Sequence, residues 1–147
     1  MALLIFYNLL FTEGIETFNR ALRRGPAPTA DQISDANIHA YVGIAILALA
    51  VVRLLLRFVQ GVPDASASDP RLLQWAAKVG SVTFYLLFFA LPLTGIAKYY
   101  FDVDLAGDIH ADVLKVVLWV LIAAHVLAAL VHQFYWKTDV VQRMTRG

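Results

Sequence analysis

Residues 108–137, DIHADVLKVVLWVLIAAHVLAALVHQFYWK, constrain this chain more than any other stretch. They are long enough and apolar enough to cross a bilayer as one helix. Three of the chain's four histidines, His110, His125 and His132, lie in them. An ionisable side chain at membrane depth is costly unless it has a partner or a job. The rest of the chain must therefore supply partners for these histidines.

The 147 residues suit one domain, 1–147. A hydrophobic content of 60% and a mean hydropathy of +0.66 are too high for an ordinary soluble domain. The expected fold is an all-α membrane protein, a four-helix transmembrane bundle with a shortened first helix. A net charge of +1 without a basic face argues against nucleic acid as a partner. The cysteine count of zero removes disulfides, thiolate zinc sites, iron–sulfur clusters and thioether-linked haem. Metal chemistry here has to use histidine or carboxylates. No nucleophile–base pair, glycine-rich phosphate loop or carboxylate cluster within the spans points to hydrolysis.

The first apolar run, MALLIFYNLLF, rises about 17 Å as a helix, against roughly 30 Å of hydrocarbon. It is too short to span, and it lacks the basic start and small-residue cleavage site of a signal peptide. Residues 12–24 put Ile15, Phe18 and Leu22 on one face and Arg20, Arg23 and Arg24 near the end. This predicts a short interfacial helix, with cations at its negative end. Gly25, Pro26 and Pro28 stop it, and Ser34 or Asp35 is placed to cap the next helix.

The second span runs over 38–59, with His39 in its first turn and Arg53 and Arg57 near its end. Asp69 and Pro70 read as cap and first residue of the third helix. Its opening, RLLQWAAK, suits the interface, and the span proper is 79–100, with Pro92 expected to kink it and Gly95 nearby. Asp108 is placed to cap the fourth helix. Arg53, Arg57, Arg71, Lys78, Lys137, Arg143 and Arg146 fall on one side of the membrane. Arg20, Arg23, Arg24, Lys98 and Lys115 fall on the other. This bias puts the second loop and the C-terminus in the cytoplasm.

Spans two and four then run in the same direction, so His39 and His110 open them at the same depth. Two imidazoles on neighbouring helices can grip one haem iron from both faces. Gly43 lies at i+4 from His39, where a missing side chain lets a flat cofactor approach the backbone. His125 lies about 22 Å deeper than His110, and Arg53 about 21 Å deeper than His39. They share a level where a second haem could sit. Arg53 could pair there with a propionate or, like Arg57, snorkel to the headgroups. Lys115 is read as snorkelling outward, and His132, Tyr135 and Trp136 as membrane-edge residues.

The chain resembles the prokaryotic cytochrome b561 family over nearly its whole length. The resemblance is carried by NIHAYVGIAILALAVVRLLLRF in span two, FYLLFFALPLTG in span three and IHADVLKVVLWVLIAAHVLAALVHQFYWK in span four. It implies four spans, one or two b haems and electron exchange with quinone. His39 and His110 would bind the outer haem, with His125 on the inner one. In the family a histidine early in span one completes the inner site, and Met1 aligns just past that position. The family also places its two span-four histidines one residue closer together. The extra residue here turns one of them by about 100°, which a local helix irregularity or a shifted haem would absorb.

The expected function is transmembrane electron transfer through b-type haem to or from ubiquinone, in a bacterial inner membrane. The specific oxidoreductase reading, implied by the resemblance, is oxidation of superoxide with quinone reduction. Arg20, Arg23 and Arg24 could attract the anion, although Glu13, Glu16, Asp31, Asp35, Asp102, Asp104, Asp108 and Asp112 lie on the same side. The alternatives are a haem-bearing membrane subunit anchoring a redox partner protein of a larger dehydrogenase or hydrogenase, and a helical membrane protein without cofactor. Ser81, Thr83, Tyr85, His132 and Gln133 are polar candidates for quinone contact.

Overall fold

In the computed structural model the described residues are 1–11, 13–25, 27–61 and 71–134. Helix is the only regular structure among them. Asp69 and Pro70, and Tyr135 and Trp136 with the basic tail, lie outside the described residues.

Helix α1 covers Ala2–Leu10 and α2 covers Glu13–Arg24. Helix α3, Ala30–Gln60, and α4, Arg71–Phe101, follow with 31 residues each. A short helix α5, Asp104–Asp108, continues through a π-helical turn, Ile109–Leu114, into α6, Lys115–Phe134. Ala30–Gln60, Arg71–Phe101 and Asp104–Phe134 are each long and apolar enough to cross a membrane, with 18-residue stretches of mean hydropathy 2.4, 1.8 and 2.4. Thirty-one residues rise about 46 Å, more than the hydrocarbon core requires. Little of each span is buried inside the protein, so most of its apolar surface is left to face lipid. The chain is an all-α membrane protein. Helix α1 is as short as expected and packs against α3.

Two expected boundaries move. Helix α3 begins two turns before its apolar run. Thr29 Oγ1 accepts from the Gln32 amide at 3.3 Å, and the Thr29 amide donates to Gln32 Oε1 at 3.0 Å. This reciprocal capping box caps the helix ahead of Ser34 and Asp35, and places His39 in the third turn. Secondly, Asp108 makes no side-chain cap, because the helix through it already starts at Asp104. Pro92, expected to kink α4, sits buried inside it.

Helix α4 ends in a pair of bonds from Asp102 N to Lys98 O (3.1 Å) and Val103 N to Ala97 O (3.2 Å). The two bonds nest, each one residue wider than in a Schellman closure, with Asp102 at φ 53° in the left-handed position that glycine normally takes. Lys98 Nζ, 2.5 Å from Asp102 Oδ1, helps to hold it there.

Helix α3 packs along α4, and α4 packs against the π turn and α6. Helix α2 packs on α3, and at Gly14 a Cβ would collide with Asp35 Cβ, so only glycine allows that approach. Among the described residues the buried apolar ones are few: Ala36, Ile46, Ala50, Leu87, Pro92 and Leu118. Two of them are alanines on α3, where small side chains let helices come close.

Candidate functional site

A cavity of about 710 Å³ opens between α3, α4 and the π turn with α6, with α1 and α2 closing its sides. Its walls are largely apolar, with Ile46 from α3, Leu87, Phe88 and Leu91 from α4 and Leu118 from α6. Its size lies in the range of small-molecule and cofactor sites, about 300–1,000 Å³.

His39 and His110 face each other in this cavity. Their ring centres are 6.3 Å apart and their planes cross at 75°. Two metal–imidazole bonds of about 2.0–2.1 Å to a shared ion, plus the distance from each nitrogen to its ring centre, span about 6.3 Å. The interval therefore suits one ion ligated on both sides.

The environment of His110 decides which nitrogen is available. Its Nδ1 lies 2.8 Å from the Leu91 carbonyl and 3.3 Å from Thr94 Oγ1. A carbonyl only accepts, so Nδ1 carries the hydrogen and donates it. Nε2 keeps its lone pair for a ligand. Such a bond on the second ring nitrogen is the usual support of a metal-bound histidine. Gly95 makes room for the ring, since a Cβ there would stand 3.1 Å from His110 Cε1 and 3.3 Å from Nδ1. His39 is held differently. Asn8 of α1 donates from Nδ2 to the His39 carbonyl at 3.1 Å, while His39 Nδ1 and Asn8 Oδ1 are both buried without a partner.

Helix phase explains how His110 reaches this position. A π turn takes one more residue than an α turn to cover the same arc. The turn at Ile109–Leu114 starts beside His110 and absorbs one residue of its 15-residue separation from His125. This is the helix irregularity anticipated from the spacing.

Gly43 also lines the cavity, and a Cβ there would meet only Asn8 Nδ2, at 3.8 Å. Arg53 and His125 do not line it. Arg53 is exposed; His125 is exposed too, its ring edge-on to Phe84 at 5.5 Å. Arg57 is turned toward α4. It donates from Nη1 to Ser81 Oγ at 2.9 Å and lies 5.2 Å over the Tyr85 ring. That engages Ser81, one of the polar candidates for quinone contact, and Thr83 Oγ1 bonds to the Val79 carbonyl of its own helix. Among the described residues, no group of three or more His, Cys, Asp or Glu could hold a metal by itself.

Two kinds of comparison bear on this arrangement. The prokaryotic cytochrome b561 family matches residues 1–147. The chain belongs to the prokaryotic cytochrome b561 family. Among its relatives is a probable superoxide oxidase CybB of Yersinia pestis, 32% identical over 141 residues, covering 82% of this chain and 80% of the relative. Another is a cytochrome b562 of Cereibacter sphaeroides, 29% identical over 143 residues, covering 97% of this chain and 86% of the relative. Membership of the b561 family makes this a bacterial membrane protein of haem-based electron transfer, with b-type haem as the implied cofactor. The residues present fit that group: two opposed imidazoles, a fixed tautomer on one, and an apolar cavity between them.

The sequence reading missed the Leu91 carbonyl, Thr94 and Asn8, and placed Gly95 only near a kink. Leu91 and Gly95 are one helical turn apart, a spacing that puts them on the same face. Asn8 stands out as the one amide in the first apolar run.

Proposed function

We propose that His39 and His110 would hold the iron of a b-type haem between them, and that the chain serves electron transfer to ubiquinone. The observation that carries this is the 6.3 Å approach of the two rings across an apolar cavity, with the His110 tautomer fixed by Leu91. When bound, haem supplies one-electron redox chemistry; the protein supplies ligation, orientation and a low dielectric. Here His110 offers Nε2 because Nδ1 is engaged, Gly95 and Thr94 hold its ring, and Gly43 leaves the α3 side of the cavity open. The apolar walls exclude water from the centre. His125, with Arg53 at its level, is assigned to a second haem.

The electron donor we assign is superoxide, which makes the protein an oxidoreductase. The named activity of the Yersinia pestis relative supports this. The loop after Gln60 and the C-terminus are assigned to the cytoplasmic side, on the bias in Lys and Arg.

The test has two parts. The purified chain should show the reduced-minus-oxidised bands of a b-type haem; their absence would remove the whole reading. Superoxide should then reduce added ubiquinone in its presence, and faster at low ionic strength if the cations at the cavity mouth steer the anion. No superoxide-dependent quinone reduction would remove the donor assignment and leave the haem assignment standing.

A further inference from the structure

Three cations line the mouth of the cavity: Arg23 of α2, Lys98 of α4 and Lys115 of α6. Lys98 is engaged. Its Nζ lies 2.5 Å from Asp102 and 2.7 Å from Asp104. Its stem runs over Gly107, where a Cβ would come within 2.9 Å of Lys98 Cγ.

The other two cations differ. Arg23 Nη2 stands 3.7 Å from Asp108 Oδ1, and Lys115 Nζ stands 3.9 Å from Glu16 Oε1. Charge-assisted hydrogen bonds close to about 2.7–2.9 Å. These two contacts are ion pairs at arm's length, between partly exposed groups, and such pairs contribute little to stability. Both cations thus keep donors in reserve while lining the same cavity as His39 and His110.

We propose that Arg23 and Lys115 anchor the two carboxylates of the haem, and that Glu16 and Asp108 hold those cations only until the carboxylates arrive. This rests on the reading of His39 and His110 as ligands. The charges match, two cations for two carboxylates. The position matches as well. Lys115 lies five residues past His110 across the π turn, whose closing bond runs from the Lys115 amide to the His110 carbonyl, so the two residues share one side of the helix. Arg23 comes from α2, which is set against the site by the contact of Phe18 with Tyr99 at 5.8 Å between ring centres. A guanidinium fork suits a carboxylate. Carboxylates arriving beside Glu16 and Asp108 would be repelled unless the cations changed partners. Helix α2 then becomes part of the haem site, through Arg23.

The experiment uses the purified, haem-loaded chain in detergent. It compares Lys115→Gln and Arg23→Gln with Glu16→Gln and Asp108→Asn. The readouts are the rate of haem transfer to excess apo-globin and the midpoint potential. Each cation variant should speed transfer by about tenfold and lower the potential, because losing a positive charge favours the ferric state. Lys115→Arg should restore both values. The acid variants should leave transfer unchanged or slower, with the potential unchanged or higher. Acid variants that loosen haem as much as the cation variants would reduce the pairs to structural struts and overturn the proposal. So would cation variants that leave both readouts unmoved. A His39→Ala control separates the two readings. Haem retained with an unchanged spectrum would sink the ligand assignment, whatever Arg23 and Lys115 do.

Discussion

The two histidine levels of the bundle are built from the same residue type in similarly apolar helices, yet they differ in almost every other respect. At the first level His110 has a carbonyl on Nδ1, a glycine clearing its ring and a second imidazole opposite. At the second level His125 is exposed and has the edge of Phe84 as its ring neighbour. The cation at that level, Arg53, is exposed, and Arg57, one turn further on, turns into the α3–α4 contact. The difference teaches that a histidine in a span is only a candidate. The supporting carbonyl, the missing Cβ and the opposed ring make a ligand position.

Substituting the histidines tests this contrast most severely. His39→Ala should abolish the b-type difference spectrum of the first centre, and His110→Ala should do the same, since each removes one side of the pair. His125→Ala should leave that centre's bands and potential as they are. A His39→Ala protein with wild-type bands would break the comparison, as would a His125→Ala protein that lost all haem.

Much of this was legible from the chain, for physical reasons. Span positions follow from the length of apolar runs, and the matched depth of His39 and His110 follows from a constant rise per residue. The start of α3 was legible in principle too, because Thr29 and Gln32 have the spacing of a capping box. It was missed because the two polar turns after Thr29 do not look like part of a membrane helix. The Leu91 carbonyl carries no sequence signal; any residue offers one, and only packing decides which carbonyl meets the ring. The course of Arg57 was likewise undetermined, since snorkelling and bonding to Ser81 suit the same side chain. Gly95 shows the intermediate case: its presence was visible, but its partner was not.

Gly95→Val offers a graded version of the first test. The added atoms would fall on His110 Cε1 and Nδ1, where even a single Cβ comes to 3.1–3.3 Å. The ring has to shift, and its bond to Leu91 shifts with it. Haem retention should weaken roughly 10–100-fold, the usual scale for disturbing the support of a metal-bound histidine. Gly95→Ala should lie between that and the parent, because the ring then yields by only a few tenths of an ångström. Retention in the valine variant equal to that of the parent would show that the glycine does not set the ring. At the other level, Ser81→Ala removes one hydrogen bond of Arg57. It should cost about 1 kcal/mol of stability, seen as a fall in Tm of roughly 2–4 °C. The spectrum of the first centre should not change.

The smallest expected effect comes from removing a residue. If the π turn at Ile109–Leu114 absorbs one residue between His110 and His125, deleting exposed Asp112 should convert it to an ordinary α turn. His110 would keep its angular position relative to α6, because the extra residue was already taken up. Haem content and midpoint potential should therefore stay close to those of the parent. Inserting an alanine after Asp112 is the opposite change. The π turn is already occupied by one surplus residue, so a second would rotate His110 by about 100° away from His39 and remove the centre. Loss of haem on deletion as complete as on insertion would mean that the π turn itself positions His110. The two levels would then differ in backbone as well as in side-chain support.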